Sequence, residues 1–233
     1  MRERVPLRIA YHKEKRKQMN RILSLLLAAC MAAGAWGQQS QELQRTQSIF
    51  AFPTFQEAKV LQSFGRFTKA RVNILLKNST LCFLDSTTVK EAYVSGVTGV
   101  QFDSVRYMKI GEKQMARVVA QKGYNFLLCV TTIDQKRLKA ETEGGDNLPF
   151  LEIPDAGFFY EIDGQTFTFK QGYPLQKKYY FNLKGTVVPA NETVIKKHVR
   201  EEMRTAFRNL MGDRFWSWND EASLTQLFTY FPD

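Results

Sequence analysis

VNILLKNSTLCFLD, residues 72–85, is the stretch whose reading decides the fold. Val72, Ile74 and Leu76 alternate with Asn73, Leu75 and Lys77, a period near two, and a strand turns successive side chains to opposite faces. Asn78-Ser79 offers a turn before the apolar run 81–84, so the segment predicts a β-hairpin.

Working outward, further strands are predicted over 97–102, 105–110, 115–121 and 124–133, punctuated by Gly111-Glu112 and Lys122-Gly123. Residues 134–147, DQKRLKAETEGGDN, are charged and free of aromatics, which predicts an exposed loop with a helical start. FFYEI, Asp163-Gly164 and QTFTF then form two aromatic-rich alternating runs around a two-residue turn, where Asp and Gly tolerate positive φ. Residues 179–184, Gly185 and 186–188 predict one more hairpin. Eight to eleven short strands, with no helices between them long enough for parallel crossovers, imply a mainly β (α+β) chain. The expected body, over residues 49–188, is a single antiparallel β sandwich or barrel-like structure.

The period changes after Pro189. Val194, Ile195, Val199, Met203, Phe207, Leu210 and Met211 fall on one helical face, with Asn191 as N-cap and Gly212 at the stop. A second helix is predicted from Asn219 or Asp220 through Leu224, Leu227 and Phe228 to Pro232. Residues 189–233 therefore read as a pair of amphipathic helices packed on the body.

Upstream, residues 1–37 read as a leader. Arg21 precedes ILSLLLAA, and Ala35-Trp36-Gly37 precedes Gln38, the basic, apolar and small-residue order of a signal peptide cleaved after Gly37. The apolar run is short for a bilayer span, which needs roughly 20 residues. Met19 is an alternative functional start. Two other readings stay open: lipidation at Cys30, because Leu27-Ala28-Ala29-Cys30 resembles a bacterial lipobox, and an uncleaved anchor. Residues 38–48, polar and Gln-rich at their start, read as a flexible linker.

The leader changes what the charge means. The chain carries a net +10, but residues 1–21 hold eight Lys/Arg against two Asp/Glu, so only +4 remains for the rest. That charge is scattered, and nucleic acid is not an expected partner. Cys82 and Cys129 each lie in an apolar run and read as small buried hydrophobes, with a disulfide between them as the alternative.

The strand series ending in NFLLCVTTID, the FFYE–DG–TFTF pair and the closing DEASLTQLFTYF resemble uncharacterised exported proteins of Bacteroidota, as does a leader ending Gly37-Gln38. The resemblance implies export to the periplasm, cell envelope or medium and a β-rich body with a helical pair. It brings no motif of known chemistry.

His198 is the one histidine after the leader and sits among Lys196, Lys197 and Arg200, so it reads as a solvated helix-face residue. No G-x-S-x-G elbow accompanies it. A zinc site would have to draw Cys82, Cys129 and His198 from distant segments without ligand spacing, so no metal is expected. Glycine spacings match neither phosphate loops nor dinucleotide folds, and no cofactor is implied. The candidate catalytic acids are Glu161 and Asp163, beside the aromatic hairpin. Phe159, Tyr160, Tyr179, Tyr180, Trp216 and Trp218 are the candidate binding aromatics, since a strand's second face must be covered or exposed as a patch. The function expected is a non-catalytic envelope module that binds a protein or glycan; the alternative is a glycan or peptidoglycan hydrolase. Contact with a membrane is expected only through an uncleaved leader or lipidated Cys30.

Overall fold

The computed structural model describes residues 44–86, 88–92, 95–141, 171–232 and the backbone of 159–161. Leader residues 1–37, Cys30, most of the linker, the loop after Glu141, and Asp163 with the second half of the aromatic hairpin lie outside the described residues. Among the described residues, twelve strands form one antiparallel sheet: β1 (Arg45–Thr46), β2 (Gln56–Gln62), β3 (Phe67–Leu75), β4 (Thr80–Asp85), β5 (Thr88–Glu91), β6 (Val97–Gln101), β7 (Arg106–Ile110), β8 (Gln114–Lys122), β9 (Asn125–Ile133), β10 (Phe159–Glu161), β11 (Tyr173–Leu183) and β12 (Thr186–Pro189). The chain is mostly β, as the alternation predicts.

The opening hairpin is β3–β4, with Val72 opposite Phe83 and Leu75 opposite Thr80. Its turn holds Ser79 at φ 60, and the Ser79 hydroxyl donates to Met115 O at 2.7 Å. That contact sits beside a further pairing, Thr80 with Gln114, which brings β4 against β8. The sheet order β8-β7-β6-β2-β3-β4 thus returns on itself, so that part of the sheet is barrel-like. Ala58, Val72, Ile74, Leu81, Val100, Tyr107 and Met115 fill this ring, with members from all six strands. Gly99 fits the ring because a Cβ there would lie 2.4 Å from Tyr107 O.

Beyond the ring, β8, β9 and β11 continue the sheet. NFLLCVTTI of β9 is apolar on both sides because both are covered: Leu127 and Cys129 face the C-terminal core, Leu128 and Val130 pack with Ile110 and Ala116. Helix α1 (Gln135–Glu141) starts the charged 134–147 stretch and buries Leu138.

The C-terminal segment corrects one expectation. The helix predicted from Asn191 to Gly212 is broken into α2 (Glu192–Ile195) and, after residues 196–200, a 3-10 turn Glu201–Met203 leading into α3 (Arg204–Met211). Arg200 is extended, with φ −55 and ψ 144, and its N–H donates to Tyr230 O at 3.0 Å. Across the bend, Ile195, Val199 and Phe207 enter one core with Phe181, Leu224, Leu227 and Phe231. Asn191 caps α2 by accepting from Val194 N, and Asp220 caps α4 (Glu221–Gln226) by accepting from Ser223 N at 2.7 Å. No helix among the described residues is long and apolar enough to cross a membrane.

Candidate functional site

Beside the break at residues 196–200 lies a cavity of about 520 Å³, between the bent segment, the β9 and β11 ends and Phe231-Pro232. Val199 and Phe231 form its apolar floor, while Lys184, Lys197, His198 and Arg200, together with the acids Glu201 and Glu202, supply its polar wall. Arg200 is held at two points: Nη2 donates to Thr229 O at 2.9 Å and Nη1 lies 3.3 Å from Glu202 Oε1. Its Nε is buried and has no hydrogen-bond partner. The guanidinium is thus fixed at the groove wall through its two Nη groups. Asn125 steadies the wall, accepting from Lys184 N at 3.2 Å and donating to Pro232 O at 3.5 Å. His198 is therefore a half-buried groove residue rather than a member of a solvated helix face.

A second polar group pins the helices to the sheet. Arg117 on β8 and Glu221 at the start of α4 pair at 2.6 Å; the Tyr179 hydroxyl donates to the same Glu221 oxygen at 3.4 Å, with Lys177 Nζ 3.9 Å away. Tyr179 is buried here, which corrects its assignment to a binding surface: its strand face is the one the helices cover. Burial first, then the neighbouring Cys129 and Glu221, hold its hydroxyl well above the usual phenol range. Tyr180 faces the other way, half-buried against the Leu128 and Val130 cluster. Trp216 and Trp218 stack edge to face at 5.5 Å, half-buried against the C-terminal core.

Cys82 and Cys129 are free, and the bridge between them is not formed. They belong to different cores, Cys82 with Leu75, Val89 and Leu138, Cys129 with Tyr179 and Phe181. Burial, reinforced by the Glu91 carboxylate, pushes the Cys82 thiol up to about 12; burial also raises that of Cys129. Neither is a thiolate at neutral pH, so neither is an activated nucleophile. In a Cys30→Ser variant, both thiols are expected to resist a disulfide-exchange reagent in the native state and to react fully in denaturant. Rapid native labelling of either would contradict their burial.

Phe159, Tyr160 and Glu161 form β10, whose backbone pairs with Lys90, Val89 and Thr88 of β5. Asp163 lies outside the described residues, so no distance between the two candidate acids is defined. An acid overlooked in the sequence is Glu91: its side chain is 5% exposed, Oε1 lies 3.7 Å from Lys113 Nζ, and Oε2 accepts no hydrogen bond. TVKE carries no pattern that distinguishes this glutamate from a solvated one. Among the described residues, no three His, Cys, Asp or Glu side chains gather as a metal site. No protein-family model, no curated protein and no solved structure matches this chain.

Proposed function

We propose that the protein is an exported, non-catalytic binding module of the cell envelope, whose C-terminal groove takes an acidic group presented by an envelope glycan or protein. The observation that carries the reading is a cavity of about 520 Å³ whose wall brings Lys184, Lys197 and Arg200 together, with Glu201 and Glu202 as its acids. A cavity in the range of roughly 300–1,000 Å³ with an apolar floor and a few polar groups is the usual form of a ligand site. Arg200 supplies direction, Lys197 and Lys184 supply attraction, and Phe231 supplies an apolar contact for a ring or chain. The basic and apolar leader motivates the export part of the proposal.

Glucuronate and neutral glucose, titrated against thermal unfolding, form the test. Glucuronate should raise the Tm and glucose should not, because only the acid supplies the anion; Arg200→Gln should weaken the glucuronate response roughly tenfold, the value of a charge-assisted hydrogen bond. Lys197→Gln, at an exposed position that leaves the core untouched, should weaken it less. Equal responses to both sugars, or a response indifferent to both substitutions, would reject the groove as an anion site. The hydrolase alternative requires release of sugar from peptidoglycan that disappears in Glu161→Gln and Asp163→Asn; undiminished turnover removes those acids.

A further inference from the structure

The β2–β3 hairpin ends in QSFGRF, residues 62–67, and its tip exposes two aromatic rings. Phe64 is 95% exposed and Phe67 is 53% exposed. Phe64 also has φ 62 and ψ 29, the left-handed region that a bulky side chain avoids. An outlier of this kind persists only where surrounding structure holds it, and such residues concentrate at functional positions. The tip is held: Gln62 N donates to Arg66 O at 2.8 Å, Ser63 N to Gly96 O at 3.0 Å, and Gln62 Nε2 to Thr68 Oγ1 at 3.3 Å. The phenyl ring is thus displayed by an ordered loop.

Behind the ring stand the exposed cations Lys59, Arg66, Lys69 and Arg71, against one exposed acid, Glu57. None of the four has an ion-pair partner among the described residues. Lys59 and Lys69 are direct cross-strand partners, a like-charge pairing that disfavours the isolated hairpin. Lys59 Nζ also lies 5.4 Å from the centre of the Phe67 ring. Repulsion along the stem is relieved by an anionic environment, and the exposed rings are covered by one that also accepts an aromatic side chain.

We infer that the β2–β3 hairpin is a membrane-contacting arm, which seats Phe64 among the headgroups of an anionic bilayer while Lys59, Arg66 and Lys69 meet lipid phosphates. A stable protein partner needs a patch of about 800 Å² on each side with a continuous core. A hairpin end that offers two rings and a collar of cations instead matches an interface where one ring inserts and basic side chains stay at headgroup level. This contact is separate from the groove and does not depend on the groove's ligand.

The test is co-sedimentation of the full chain with phosphatidylglycerol–phosphatidylethanolamine vesicles and with pure phosphatidylcholine vesicles. Binding should require the anionic lipid and weaken with salt. Phe64→Gly, which removes the ring and suits the left-handed backbone, should keep the fold and lower affinity roughly tenfold. Each of Lys59→Gln, Arg66→Gln and Lys69→Gln should lower it roughly fivefold. Because all variants keep the leader, their differences isolate the hairpin, and in a Phe64→Trp variant the emission should shift to the blue on addition of anionic vesicles. Unchanged binding by Phe64→Gly, an unshifted Phe64→Trp emission, or equal binding to neutral vesicles overturns the inference. Retention on immobilised polyglutamate without vesicle binding also overturns it, by making the arm a site for acidic protein.

Discussion

Phe181→Ala is expected to destabilise the protein by about 3–5 kcal/mol, the cost of emptying a fully packed aromatic site. Phe181 is completely buried on β11, and its ring meets Phe228 edge to face at 5.7 Å and Phe231 at 5.1 Å. The neighbours cannot close the cavity easily, because Phe228 follows α4 and Phe231 is tied into the same cluster by its own contact with Phe228 at 6.5 Å. For a chain of this length, each kcal/mol lowers the Tm by roughly 2–4 °C, so a fall of about 10 °C is expected in thermal unfolding. Because Phe231 also floors the groove, the variant should lose part of any groove affinity at temperatures where it remains folded. A loss below about 1 kcal/mol would mean that the C-terminal helices do not rest on β11, since a cavity of this kind carries a larger cost.

Asn73→Ala is expected to cost about 2–4 kcal/mol, for a different reason. Asn73 is 1% exposed within β3 and clamps residues 52–54 onto the sheet. Its Oδ1 accepts from Phe52 N at 3.1 Å and from Ile74 N at 2.9 Å; its Nδ2 donates to Phe52 O at 2.9 Å and to Thr54 O at 3.2 Å. Alanine leaves these backbone groups without the amide, and buried groups that lose their partner cost about 1–3 kcal/mol each before water or relaxation compensates some of them. Phe52 packs on Phe102 at 4.5 Å and lies 6.4 Å from Tyr107, so loosening the clamp also uncovers the barrel-like core. Urea unfolding measures the total, and amide hydrogen exchange at Phe52 locates it. Unchanged exchange there would show that the Asn73 clamp does not hold the segment. Asn73→Asp should fare worse than Asn73→Ala, because a carboxylate would face the Phe52 and Thr54 carbonyl oxygens without donors.

The two expectations also mark how far local patterns reach. Phe181 is legible as a core residue, because YYF within an alternating run must bury one face. Asn73 is not: by period it lies opposite Val72 and Ile74 and reads as solvent-facing, and only the passage of residues 49–54 over β3 buries it. Tyr179 differs from Tyr180 by the same rule of alternation, yet which of the two faces carries the helices is decided by packing. The aromatic tip escaped notice because Ser63-Phe64-Gly65 reads as an ordinary turn; a bulky residue before Gly amid unpaired bases is the signal that marks it.

What the sequence determined by itself is what depends on neighbours a few residues apart. Alternation over 72–77 and the apolar runs of 81–84 and 124–133 set strand character, Ser79 and Gly111 take the positive φ their turns require, and Asn191 and Asp220 cap helices through bonds three residues long. Tertiary structure decided the rest. The return of β4 onto β8, the division of the two cysteines between cores, the Arg117–Glu221 pair and the bend at Arg200 join residues whose separation in the chain leaves no periodic trace. Helical amphipathicity continues unbroken from Val194 to Met211, so no local pattern marks the break, and Ile195, Val199 and Phe207 share one core on both sides of it. That bend, rather than any local motif, makes the groove.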